Sequence, residues 1–288
     1  MSYRLARILL GSLLGFSVSF LQAQESNFLQ PEEQMEREEA EPEEEEEPDE
    51  IETDRDSFTP SLTAAGRNRL IFETSYSFID NRNVPETNSF PETLLRYGAG
   101  DRLEFRLGWN YEVGGAGNPI SGNVPDELSD EAKLERESRL LYGFKVICTE
   151  QSENVPASSF ILQGFSPTSG ETTKTEMSAT YVFGWQFQNE WSIDSAMRYS
   201  TGSLEEDNFN LWSPSTVLKI PIGERWKVHA EYFGVFSDKR EEETAQHFFS
   251  PGAHFLINPD LELGVRFGCG LNNQSPGFFT NAGLGYRF

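Results

Sequence analysis

Hydrophobic and polar residues alternate along most of this chain. From Arg102 to Val113, the residues Leu103, Phe105, Leu107, Trp109, Tyr111 and Val113 share one parity. Arg102, Glu104, Arg106, Gly108, Asn110 and Glu112 share the other. Successive side chains of a strand point to opposite faces, so this stretch predicts a strand with one apolar and one charged face. Leu261 to Leu271 repeats the pattern, as do Met177 to Phe187, Trp191 to Tyr199, Trp226 to Phe236 and Phe278 to Phe288. Weaker copies run Leu70 to Phe78, Phe90 to Tyr97, Ser138 to Cys148, Ala157 to Phe165, Trp212 to Ile220 and Phe249 to Ile257. The pattern predicts about twelve strands.

A soluble sandwich alternates too, so three further features decide between the two. The strands are roughly 9–12 residues long, the length that crosses a bilayer when tilted, against about 5–6 in soluble sheets. Their connections alternate: short at Gly98–Asp101, Glu150–Pro156, Gln188–Glu190, Ile222–Glu224 and Asn258–Asp260. They are longer at 80–88, 114–133, 166–175, 201–207, 238–246 and 272–277. Aromatic residues then gather at two heights. Trp185, Trp191, Trp226 and Tyr286 stand beside short turns or the C-terminus, and Trp109, Tyr111 and Trp212 near the long loops. Two aromatic girdles are expected where rings sit at headgroup level. Strands in hydrocarbon must also pair every backbone group, which closes the sheet. The fold class expected is all-β: a closed antiparallel transmembrane β-barrel of about 12 strands over residues 61–288.

Before the barrel lie two other zones. Arg4 and Arg7 flank an apolar run from Ile8 to Phe20, predicting a signal peptide over residues 1–23. Residues 25–56 hold 17 acidic side chains against Arg37 and Arg55. With the run Glu43 to Glu47 repelling itself, residues 24–60 are expected to form a disordered acidic periplasmic segment. The net charge of −24 argues against a nucleic-acid partner. Two cysteines, Cys148 and Cys269, fall on the apolar parity of separate strands and read as wall residues. No cofactor or metal site is predicted.

The polar parity predicts the lumen. Its acids are Glu73, Glu92, Glu104, Glu112, Asp194, Glu231 and Glu262. Its bases are Arg96, Arg106, Arg139, Lys145, Arg198, Lys219, Arg225, Lys227, Arg266 and Arg287, a slight cationic excess. These charges either bias solute entry along an aqueous path or plug the barrel as a salt-bridge network. Inward glycines, Gly108 and Gly285 among them, leave room or let the wall bend. The acidic loop residues Asp126, Glu127, Asp130 and Glu131, Glu205 to Asp207 and Glu241 to Glu243 suit solubility at the rim. Asn281, Gly283, Tyr286 and Phe288 match a C-terminal insertion signal, implying the barrel-assembly machinery as a partner alongside outer-membrane lipids.

Three stretches carry a family resemblance: Thr53 to Thr59 with Leu70 to Glu73, Asn88 to Gly98 with Asp101 to Trp109, and Gly252 to Phe288. Over residues 53–288 the chain resembles the outer-membrane transporter family named after the MetA pathway of phenol degradation. It departs at Asp56, where the family usually carries proline, and in its long acidic leader. The resemblance implies passage of small aromatic or apolar solutes. The function expected is an outer-membrane channel with periplasmic termini in a Gram-negative-type envelope. The alternatives are a structural or surface-interaction barrel without transport and an outer-membrane lipid-modifying enzyme. No enzyme is expected, because His247 and Ser250 differ in parity and His229 has no serine beside it on its face.

Overall fold

The computed structural model describes residues 50–288, apart from Asp56 and residues 122–133, 171–172, 205–206 and 241–242. The expected signal peptide and most of the acidic segment, residues 1–49, lie outside the described residues, as do Asp126, Glu127, Asp130 and Glu131. Twelve strands follow one another: β1 (Leu70–Ile79), β2 (Thr87–Gly98), β3 (Leu103–Gly114), β4 (Glu135–Thr149), β5 (Ala157–Ser169) and β6 (Glu176–Gln186). The second half is β7 (Ser192–Leu204), β8 (Asp207–Ile222), β9 (Trp226–Asp238), β10 (Ala245–Asn258), β11 (Leu261–Gly270) and β12 (Phe278–Arg287). Each pairs antiparallel with its sequence neighbours, and β1 closes on β12 from Ile71↔Arg287 to Ile79↔Phe279. The closed antiparallel barrel of twelve strands is thus the observed architecture.

Strand length runs beyond the apolar pattern at the long-loop end. The β7–β8 hairpin continues to Leu204↔Asp207, through residues 201–207 that the sequence assigns to a loop. Pairing does not need lipid. Once the wall leaves the bilayer its outer face is free to be polar, and Thr201, Gly202 and Ser203 keep the ladder without keeping the alternation. At the opposite end the hairpins are tight, with Glu190 (φ 64°) and Gly223 (φ 69°) turning the chain.

Burial is inverted relative to a water-soluble protein. Phe267 is 63 % exposed and Val265 56 %, while Glu73, Arg96, Glu104 and Lys145 are fully enclosed. An apolar exterior of this extent belongs in lipid. Both cysteines are free and on that outer face, as their parity predicts.

The expected disorder up to residue 60 does not hold at the described end of the acidic segment. Ile51, Thr53, Asp54, Arg55, Ser57, Phe58 and Thr59 are buried. Acidic composition forbids a self-contained fold, but it does not forbid docking onto cations held elsewhere.

Candidate functional site

The segment before β1 fills the lumen, and cations on the inner wall receive its acidic side chains. The chain enters at the short-turn end, where Ile51 N donates to Pro259 O in the β10–β11 turn at 2.9 Å. Glu50 meets Lys227 at 2.7 Å and Glu52 meets Lys219 at 2.8 Å. Thr53 Oγ1 then donates to Glu262 at 2.8 Å. Asp54 meets three wall cations: Oδ2 takes Arg106 Nη1 at 2.5 Å and Lys145 Nζ at 3.1 Å, with Arg96 Nε at 3.9 Å.

Above Asp54 the segment turns. The backbone N–H groups of Phe58 and Thr59 donate to the Glu231 carboxylate at 3.0 and 2.7 Å. Ser61 N and Oγ return to Asp54 Oδ1 at 2.8 and 2.6 Å. On the way back Ala65 N reaches Glu104 at 2.8 Å, and Asn68 N bonds Gly98 O at the start of the wall. The described residues of 50–68 therefore form a loop that rises into the barrel and leaves by the same end.

Glycines on the wall make space for this loop. A methyl at Gly285 would stand 2.3 Å from the Thr53 side chain, and one at Gly108 would stand 3.4 Å from Arg55 Nη2 and 2.6 Å from a wall carbonyl. The inward glycines predicted to leave room leave it for the chain itself at these two positions.

Electrostatics hold the loop in register. Burial alone would raise the Glu52 carboxyl, but the charge and hydrogen bond of Lys219, with Thr63 and Lys227, bring it down to about 2. Asp54 faces the same penalty, and Arg96, Lys145 and Arg106 drive it well below the usual carboxylate range. Burial pushes the Arg55 guanidinium down, against Glu92 and Glu73.

The other end of the lumen closes differently. Asn118 Nδ2 donates to Glu92 at 2.6 Å, and Asn118 Oδ1 accepts Ile120 N and Ser121 N. The Ile120 carbonyl accepts Arg266 Nη2. Between the two plugs sits an apolar layer inside the barrel. Phe58 stacks on Phe233 at 4.4 Å and Phe233 on Phe248 at 4.6 Å, with Ile79, Leu94, Leu141 and Phe279 around them.

The twelve residues expected to line the lumen all carry inward parity. Glu104, Arg106, Lys145 and Glu262 contact the internal loop directly. Glu231 and Arg266 form an ion pair at 3.3 Å, Asp194 pairs with Lys219 at 3.1 Å, and Arg139 with Glu176 at 2.5 Å. Glu112 accepts from Asn110 at 2.7 Å, and Arg198 lies over the Phe58 ring. Lys227 stands half-exposed at the mouth. Arg225, counted among the inward bases, is exposed in the β8–β9 turn, because the strand whose alternation would place it begins only at Trp226. The girdle residues Trp109, Trp185, Trp191, Trp212, Trp226 and Tyr286 are exposed on the outer face, and Tyr111 stacks on Trp109. At the C-terminus, Tyr286 and Phe288 face outward while Asn281 is buried on Ser77, with Gly283 on its parity.

Sequence reasoning missed Glu52, Asp54, Arg55 and Phe58, which composition assigned to the disordered segment. Only a weak signal was available, an apparent surplus of inward bases over inward acids that shrinks once Arg225 is placed outside and Glu176 inside. It also missed Glu176 and the imidazole pair His229–His254, whose Nδ1 and Nε2 atoms are 2.7 Å apart. His247 and Ser250 point to opposite faces as expected, and His247 Nδ1 bonds the Tyr232 hydroxyl at 2.8 Å.

The family model described as "Putative MetA-pathway of phenol degradation" matches residues 53–288. The COG4313 outer membrane channel from Pseudomonas putida F1 superposes with a TM-score of 0.55 at 11 % identity, covering 82 % of this chain and 100 % of that one. The translocator domain of autotransporter NalP from Neisseria meningitidis gives 0.49 at 10 % identity, over 76 % of this chain and 88 % of that one. The NanC porin gives 0.47 at 7 % identity, over 75 % and 98 %. No curated relative matches by sequence. At these identities the likeness is one of fold, that of outer-membrane β-barrels.

Proposed function

The chain belongs to the family described as the putative MetA-pathway of phenol degradation, and from that premise we propose that it is an outer-membrane channel for small solutes, seen here closed. The observation that carries the reading is the origin of the plug. It precedes β1, and its contacts run chiefly to wall side chains, so it can leave without opening a single rung of the barrel. A lumen with Arg96, Arg106, Lys145 and Arg198 around this segment suits polar or anionic passage once it moves. The family label points instead to small aromatic or apolar solutes, for which the Phe58, Phe233 and Phe248 layer is the matching surface.

In this reading the termini are periplasmic, so the acidic leader lies on the short-turn side. The two aromatic girdles anchor at the membrane interfaces, and the outward Tyr286 and Phe288 meet the assembly machinery. The filled lumen also supports a second reading, a barrel acting at its surface without transport. Planar-bilayer conductance and liposome swelling with graded solutes separate the two. We expect small, infrequent conductance from the native chain and larger conductance when the loop is loosened. Silence from both, at high protein load, would leave only the surface barrel.

A further inference from the structure

Beside the internal loop lies a small cleft lined by Arg55, Arg106, Arg198, Ser121, Phe58 and Leu141, with a cavity volume of about 20 Å³, room for one water-sized or slightly larger ion. Its polar walls are under-used. Arg55 Nε and Nη1, Arg106 Nε, and Arg198 Nε and Nη1 are all buried donors with no hydrogen-bond partner among the described residues, and so is the Ser121 hydroxyl. The three guanidinium side chains belong to residues that are 5 %, 6 % and 4 % exposed. Leaving one such donor unpaired is costly, and five on three arginines lining one cleft call for an acceptor that none of the described residues supplies.

Arg198 is the clearest case. Its contacts are a long bond from Nη2 to the Phe58 carbonyl at 3.4 Å and the face of the Phe58 ring at 4.5 Å. Among the described residues it makes no ion pair within 4.0 Å. Arg96 differs: it is matched by Glu73, Glu104 and Asp54. Asp54 also borders the cleft, but it offers nothing further. Its Oδ1 already serves Ser61 and Lys145, and its Oδ2 serves Arg106 and Lys145.

We propose that this cleft binds a small monovalent anion, a carboxylate or a halide, between Arg55, Arg106 and Arg198. An acceptor-only group meets the five orphan donors without bringing hydrogens of its own, and planar guanidinium forks suit a carboxylate in particular. A single charge fits better than a double one, since Glu73, Glu92 and Glu231 already bring negative charge to these arginines. The apolar walls of Phe58, Leu94 and Leu141 favour a small, weakly hydrated ion. As a waypoint for anionic solutes the site rests on the channel reading, but its occupancy does not.

The test uses the full chain in detergent, with sodium formate, sodium bromide and sodium sulfate at equal ionic strength. We expect formate or bromide to raise the thermal midpoint saturably and sulfate to give only a linear salt effect. Formate acting alone identifies the carboxylate, and bromide alone the halide. Arg198→Gln should weaken the saturable binding at least tenfold by calorimetry, and Arg198→Lys should weaken it less. Three salts that act alike, or a folded Arg198→Gln protein with native affinity, would overturn the site. Should Arg198→Gln not fold, Arg198→Lys decides by the same measure: native affinity there overturns it. Binding without any conductance would keep the site and remove the channel. Conductance that never saturates, in a protein that binds neither anion, would do the reverse.

Discussion

Asp54 and Arg106 are separated by 52 positions in the chain and by 2.5 Å in the lumen. Because Arg96 and Lys145 converge on the same carboxylate, Asp54 is the point at which the loop is fixed to the wall. Replacing it with Asn leaves three buried cations short of one counter-charge. Breaking a buried ion network by removing one partner costs about 3–5 kcal/mol. Much of that is recovered if the loop leaves and water enters. Asp54→Asn should therefore raise single-channel conductance and expose residues 50–65 to protease, while the barrel keeps its heat-modifiable migration. A native conductance trace from this variant would show that Asp54 does not hold the plug.

The response to acid follows from Glu52 and Asp54. A carboxylate held below its unfolded value contributes stability that is complete above the unfolded pKa and fades as pH falls through the folded one. For Glu52 that window runs from 4.5 down to about 2, and Asp54 is shifted in the same direction. Conductance should stay low from pH 7 to pH 5 and rise only below about 4.5, the ordinary value for Glu52. Glu52→Gln should be partly open already at pH 7. Opening centred near pH 6 would show that Glu52 and Asp54 do not set the response.

The barrel wall was legible because lipid outside and charge inside force a strict period of two. The run from Leu103 to Val113 could be read residue by residue, and its inward set met the structure at Glu104, Arg106, Asn110 and Glu112. The loop inside was not legible by the same means. Asp54 and Phe58 belong to no repeating element, and their partners are Arg106 and Glu231, on strands β3 and β9. Local composition sees acids that repel one another; it cannot see the cations that receive them. The hairpin tips failed for a related reason, since residues 201–203 lie where the outer face no longer has to be apolar.

Glu231 and Thr59 should be energetically coupled. The carboxylate takes Thr59 N and Thr59 Oγ1 at 2.7 Å each, and Arg266 binds its other oxygen at 3.3 Å. Thr59→Val removes the hydroxyl contribution while keeping the shape of the side chain, and Glu231→Gln removes the charge. Hydrogen bonds to charged groups are worth about 1.5–3 kcal/mol. A double-mutant cycle by denaturant unfolding should return a coupling within that range. Additive losses would mean that Thr59 is placed by Ser215, which it also contacts at 2.8 Å, and not by Glu231.

The outer face offers a graded test of the membrane itself. Val265 lies midway along β11, outward and 56 % exposed, whereas Tyr286 lies at the end of β12 beside the chain terminus. Arginine on the lipid face of a barrel costs about 2–4 kcal/mol at the bilayer midplane and about 0–1 near the interface. Val265→Arg should thus destabilise the protein folded in liposomes far more than Tyr286→Arg, by denaturant titration. In a detergent micelle, whose surface deforms around a charge, the gap between the two variants should narrow. The two costs share one wall, one strand pair and one substituent, so their difference reports depth in hydrocarbon. A sheet facing water would show no such gradient, because an exposed valine gives up little when a charge replaces it.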